Sequence, residues 1–237
     1  MIPGRKIAID GIEQEVSIDA GRVTLQGTLG MPARADSVVL FAHGSGSSRH
    51  SPRNRYVARV LHAAGIGALL FDLLTTDEES VDEATGELRF NINFLATRLV
   101  EATRWLMRQP DMARMRIGYF GASTGAAAAL VAASKLPNSE ISAIVSRGGR
   151  PDLAGEALPL VKAPTLLIVG GNDEPVIGMN RRALAQLGSE VKRMHIVPRA
   201  THLFEEPGAL EEVARSAADW FTAHLVVGIG KAAAQER

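Results

Sequence analysis

Five short, mostly apolar runs that do not alternate with polar residues mark the middle of the chain, at 38–42, 68–71, 117–120, 141–145 and 165–169. A strand with one wet face alternates apolar and polar residues. A strand covered on both faces does not, so these runs predict parallel strands inside a layered fold. The first thirty residues follow the alternating pattern. Val23, Leu25, Gly27 and Leu29 interleave with Thr24, Gln26 and Thr28, the period of a half-buried strand. Asp19-Ala20-Gly21 supplies a hairpin turn from an earlier strand near 13–18.

Between the runs the period becomes helical. Ser51-Pro52 provides an N-cap and a first-turn proline for a helix reaching Ala64, with Tyr56, Val57, Val60, Leu61 and Ala64 as its apolar stripe. Ile92, Leu95, Leu99, Ala102 and Leu106 keep the 3, 4 spacing of a second amphipathic helix, stopped near Pro110. The segment 181–187 reads as helical. A strand at 191–197 precedes a last helix opened by Pro207, whose core face is Leu210, Val213, Ala217, Trp220 and Phe221. The acidic stretch 75–89 shows no clear period and is read as a solvated loop, with a small lid as the alternative. Alternation of strand and helix predicts an α/β fold: a mostly parallel, doubly wound sheet of about eight strands, helices on both faces and right-handed crossovers. One domain is expected over 1–237, with a loose polar tail from about 228.

Composition narrows the function. The 237 residues are 46% hydrophobic, enough for a sizeable core, and Lys plus Arg equals Asp plus Glu at 26 each. That balance argues against a general nucleic-acid binder. The absence of cysteine excludes disulfides, thiolate chemistry and cysteine-based zinc sites. Neither a secretory leader nor a run of about 20 apolar residues is visible, so a cytoplasmic protein acting away from membranes is expected.

The strongest chemical signal is Gly121-Ala122-Ser123-Thr124-Gly125, a G-x-S-x-G pentapeptide between the run at 117–120 and an alanine-rich helix former. A sharp strand-to-helix turn there lifts the serine hydroxyl to an exposed apex, and the glycines let the turn close. A serine hydroxyl needs a base, and the base needs an orienting acid. After the serine, in chain order, come Asp173, just past the strand at 165–169, and His202, just past the strand at 191–197. Each of the three follows a different strand at one edge of the sheet. Glu174 and Glu205 are alternative acids. His195 is read as a packing or solvated residue, and His62 and His224 need no special role.

His43-Gly44-Ser45-Gly46 follows the run at 38–42. Its small turn suits an oxyanion hole made by the amides of Ser45 and Thr124, with Gly44 and Gly46 as register alternatives, while His43 braces the turn. The loop lacks the Gly-Lys-Ser/Thr ending of a phosphate-binding P-loop. His43 and His50 find no third ligand at a metal-binding spacing, so no metal is expected. Arg49, Arg53 and Arg147 flank the expected site and are candidates for binding a substrate carboxylate or phosphate. The competing reading pairs such arginines with Asp72, Asp152 or the acidic 77–83 stretch.

These motifs together resemble the α/β-hydrolase superfamily from about residue 20 to 226, and within it the dienelactone hydrolase-like group. The carriers are His43-Gly44-Ser45-Gly46, Gly170-Gly171-Asn172-Asp173-Glu174-Pro175-Val176 and Ala200-Thr201-His202-Leu203-Phe204, with no large cap insertion. The chain is also similar to bacterial hydrolase modules found joined to a phosphoribosyltransferase domain. The resemblance implies a serine hydrolase without cofactor that cleaves a small carboxylic ester, thioester or lactone, with a homodimer as one possible assembly. Dienelactone hydrolases proper use a cysteine nucleophile, and Ser123 stands in its place here. Peptidase, acyltransferase and cofactor-free haloperoxidase activities on the same fold are the enzymatic rivals, and a non-catalytic binding module is the other.

Overall fold

A computed structural model describes residues 13–225; the expected tail from 228 lies outside them. Eight strands form one sheet in the order β1-β2-β4-β3-β5-β6-β7-β8. The alternating N-terminal segment makes the antiparallel hairpin β1 (Glu13–Asp19) and β2 (Thr24–Gly30), and β2 runs antiparallel to β4 (Gly67–Phe71). From β4 onward every pairing is parallel, through β3 (Ser37–Ala42), β5 (Arg116–Ala122), β6 (Ile141–Arg147), β7 (Thr165–Gly170) and β8 (Lys192–Val197).

The pleat explains the non-alternating runs. Val38, Leu40 and Ala42 enter the core on one face of β3, and Val39 and Phe41 enter the core on the other. Burying an aliphatic side chain of this size stabilises the fold by about 1.5–3 kcal/mol. Helices α1 (Pro52–Ala63) and α6 (Ala209–Leu225) cover one face. The other is covered by α3 (Ile92–Met107) and α4 (Thr124–Lys135). Helix α4 is buried from Thr124 to Ala133, which its alanines allow because they fit between strands and neighbouring helices. Edge strand β8 carries Lys192 and Arg193 on its exposed part, the usual protection against edge-to-edge pairing.

Three expectations are corrected. The acidic stretch read as a loop contains helix α2 (Thr76–Thr85), held by polar contacts instead of an apolar stripe. Thr75 and Glu78 form a reciprocal capping box, and Gly86 ends the helix in the left-handed conformation at φ 68°. Buried Asp82 accepts hydrogen bonds from the amides of Leu88 and Arg89, at 2.7 and 3.1 Å, and from Arg89 Nε at 2.6 Å. Burial raises the Asp82 pKa, but these donors outweigh it and hold the carboxyl below its ordinary value. Glu78 pairs with Arg98 of α3. Helix α5 starts at Glu174, not near 181, because Asp173 and Pro175 open it. The last helix begins at Ala209, past Pro207.

Candidate active site

Between the end of β5 at Ala122 and the start of α4 at Thr124, Ser123 turns the chain at φ 50°, ψ −121°. Such a conformation costs about 1–3 kcal/mol in a non-glycine residue. The surroundings hold it: Ser123 N–H donates to Arg147 O at 3.3 Å, and Ser123 O accepts from Ala126 N and Arg150 N at 3.1 Å each. The two motif glycines are required by space. A Cβ on Gly121 would lie 2.4 Å from Ala126 Cα, and one on Gly125 would lie 2.1 Å from Ala42 O.

Asp173 and His202 come from turns that are laced together. Gly171 N–H donates to Val197 O at 2.8 Å, Asn172 N–H to Ala200 O at 2.9 Å, and Asn172 Nδ2 to Arg199 O at 2.9 Å. A Cβ on Gly170 would sit 2.4 Å from Ala200 O, so glycine there permits the approach. Beyond the histidine, Phe204 is buried at φ 56° and Glu206 accepts from Thr201 N–H at 3.0 Å. The result is a 2.7 Å contact between His202 Nδ1 and Asp173 Oδ2. The aspartate is the more buried partner, with its side chain 14% exposed against 38% for the histidine. Ser123 and His202 line one cavity of about 250 Å³ together with Ser45, Ser47, Arg53 and Arg147. Among the described residues no hydrogen bond joins the Ser123 hydroxyl to His202; such bonds commonly tighten only with substrate bound.

His43 fastens the neighbouring turn. Leu73 N–H donates to His43 Nε2 at 3.1 Å, so the ring proton sits on Nδ1 and is donated to Gly44 O at 2.9 Å. This geometry uses the neutral ring fully. Burial pushes the His43 pKa below its ordinary 6.5, against smaller raising effects of the Gly44 hydrogen bond, Asp72 and Glu79. Because the folded value is the lower one, this contribution to stability is complete above pH 6.5 and is lost as pH falls through the folded value. His43→Ala is expected to lower stability at neutral pH by about 1–3 kcal/mol, by stranding the Leu73 amide and the Gly44 carbonyl. Urea unfolding at pH 7.5 and 5.5 checks it: the gap between parent and variant narrows at the lower pH.

The two expected oxyanion-hole residues meet. Ser45 N–H donates to Thr124 Oγ1 at 3.0 Å, so one amide is already engaged by the side chain beside the other. The Thr124 amide opens α4, where the first N–H groups have no intrahelical acceptor.

The three arginines separate. Arg49 is not in the Ser123 cavity. Its amide donates to Asp72 Oδ1 at 2.7 Å, its guanidinium pairs with Asp72, and Glu15 lies 3.6 Å away. Asp72 is the closer partner of Arg49, and Glu15 is a solvent-exposed one. Arg150 is held by Asp152 in the same way. Arg53 and Arg147 do line the cavity. Arg147 is held by Asn54, whose Oδ1 accepts from Nη2 at 3.3 Å. Asn54 had no place in the sequence reading. Its signal was a polar residue three and four positions before Val57 and Ala58, on the buried face of α1. His195, expected as a packing or solvated residue, pairs with Glu212 at 2.7 Å.

A second cavity, of about 160 Å³, lies on the other side of the 44–47 turn, between Asp72, Leu73 and α2 residues Glu79, Asp82 and Glu83. Among the described residues no group of three or more His, Asp or Glu side chains could hold a metal ion, and no helix is long and apolar enough to cross a membrane.

Known proteins share this arrangement of strands and helices. The profile of the "Dienelactone hydrolase family" matches residues 25–226. The crystal structure of a dienelactone hydrolase from Anabaena variabilis is 60% identical and superposes with a TM-score of 0.88, covering 91% of this chain and 99% of that one. A Pyrococcus furiosus esterase shares the fold at 19% identity, with a TM-score of 0.71 over 91% of this chain and 92% of its own. A Mycobacterium tuberculosis protein, provisionally named a phosphoribosyl transferase, is 55% identical over 213 residues, 90% of this chain but 47% of that protein. The chain thus spans about half the length of that curated relative. By the match of its length and by its likeness to the Anabaena structure, the chain belongs to the dienelactone hydrolase family.

Proposed function

We propose that the protein hydrolyses small carboxylic esters, thioesters or lactones through an acyl-serine intermediate, with Ser123 as nucleophile, His202 as base and Asp173 as its orienting acid. The observation that carries this reading is the 2.7 Å Asp173–His202 contact at the rim of the cavity that Ser123 enters from its strained turn. Asp173 on Nδ1 leaves His202 Nε2 free to accept the serine proton. Ser123 Oγ then bonds to the carbonyl carbon, and the carbonyl oxygen becomes an oxyanion. The Thr124 amide faces that charge, joined by the Ser45 amide if it exchanges Thr124 Oγ1 for the oxyanion; each such donor is worth roughly 3 kcal/mol. The bond from the acyl carbon to the leaving oxygen or sulfur breaks as His202 gives that atom the proton. Water, giving a proton to His202, then attacks the acyl carbon; the acyl–Oγ bond breaks as His202 returns that proton to Ser123, and the acid leaves.

The cavity, at about 250 Å³, is smaller than the ~300–1,000 Å³ typical of drug-sized ligands, so short acyl groups are favoured. The test is a panel of short p-nitrophenyl esters beside peptide and halide substrates. The expected result is hydrolysis of the esters that is lost in His202→Ala, because the serine proton then has no acceptor. Peptide cleavage or halide oxidation without esterase activity would replace this reading by a rival chemistry on the same fold.

A further inference from the structure

Among the described residues the Ser123 cavity is lined by two arginines, Arg53 and Arg147, and by no carboxylate. Its formal charge from these groups is +2. Arg147 is only 8% exposed, yet among the described residues its Nε and Nη1 have no hydrogen-bond partner, and the buried Nε of Arg53 has none either. An unpaired buried cation is costly, and its donors are costly to leave unmade. Among the described residues the one side-chain acceptor on Arg147 is neutral Asn54 Oδ1, at 3.3 Å. Arg53 touches Glu205 at 3.3 Å, but that carboxylate is 66% exposed and outside the cavity, where solvent screening leaves such pairs weak. Burial, and then the charge of Arg53, lower the Arg147 pKa to about 10, so the side chain is still charged at neutral pH. It also stands beside the reacting centre: Arg147 is the register partner of Ala122, and its carbonyl accepts the Ser123 amide.

Resting on the hydrolase reading, we propose that this cavity contains a subsite for a doubly charged phosphoryl group of the substrate, seated on Arg147 and Arg53. A phosphate monoester dianion matches the charge of the two guanidinium groups, and its terminal oxygens can accept N–H groups from both once the side chains turn onto it. A carboxylate would leave one positive charge opposed only by the solvent-screened Glu205 contact of Arg53. The substrate class is then a small phosphorylated ester, thioester or lactone, its acyl carbon within short reach of the phosphoryl group.

The experiment is calorimetric titration of the Ser123→Ala protein with inorganic phosphate and, at matched ionic strength, with acetate. Phosphate is expected to bind one to one, at least tenfold more tightly than acetate. Adding Arg147→Met should weaken phosphate at least tenfold, and adding Arg53→Met severalfold. Arg53 is the more exposed of the two, so its variant decides the matter if Arg147→Met melts early. No phosphate binding by folded Ser123→Ala, acetate bound as tightly, or binding indifferent to the arginine replacements would each overturn the proposal. Because Ser123→Ala turns nothing over, a failure here is separate from a failure of the hydrolase reading, which labelling of the Ser123 hydroxyl decides.

Discussion

Ser123→Gly is expected to remove ester hydrolysis almost completely, by about 10⁶-fold in kcat, while making the protein more stable by about 1 kcal/mol. The first effect follows from losing the only atom that can bond to the acyl carbon. Residual turnover would come from the cavity and its amides acting on water. The second follows from φ 50°, ψ −121° at Ser123. Glycine adopts that conformation without the Cβ clash, which recovers about 1–3 kcal/mol. It also loses more freedom on folding, which gives back about 0.5–1 kcal/mol. The backbone bonds from Ala126 and Arg150 to Ser123 O survive the change. Initial rates with a short p-nitrophenyl ester, read beside thermal melting, test both halves. An active variant, or an inactive one that melts well below the parent, would contradict the account.

Asp173→Asn is expected to cost about 10⁴-fold in kcat, the size of the same change in serine-protease triads. The 2.7 Å contact to His202 Nδ1 fixes which ring nitrogen carries the proton. An asparagine can present its amide N–H to Nδ1, which favours the tautomer with the proton on Nε2, the nitrogen that must accept from Ser123. The turn itself should persist, because it is tied by backbone bonds from Gly171 and Asn172 to the His202 loop. Circular dichroism should therefore match the parent while the rate collapses. A loss below tenfold would point to Glu205 or another group as the orienting acid.

The strands were legible because both of their faces are covered. Each non-alternating run sits inside one parallel strand, from β3 to β7. The elbow was legible for a different reason: Gly121 and Gly125 sit where any Cβ collides with backbone. Helix α2 was missed because an apolar period was the criterion, and its one large apolar residue, Val81, is exposed. Its ends were nevertheless written in the sequence, as Thr75 with Glu78 and as Gly86. The arginines could not be sorted from local pattern. Arg49 is claimed by Asp72 and Glu15, which lie on β4 and β1 sides of the sheet and reach it only through the fold. Arg147 ends an apolar strand, and its burial depends on Asn54 of α1 and on the cavity wall around His202. The engagement of the Ser45 amide by Thr124 likewise needs two loops brought together from 79 positions apart.

Whether His202 activates the Ser123 hydroxyl as a nucleophile is decided by intact-protein mass spectrometry after treatment with a fluorophosphonate, followed by peptide mapping. A single adduct is expected, on Ser123, absent from Ser123→Ala and formed much more slowly in His202→Ala. No adduct on the folded protein, or an adduct on another residue, would contradict that role for Ser123.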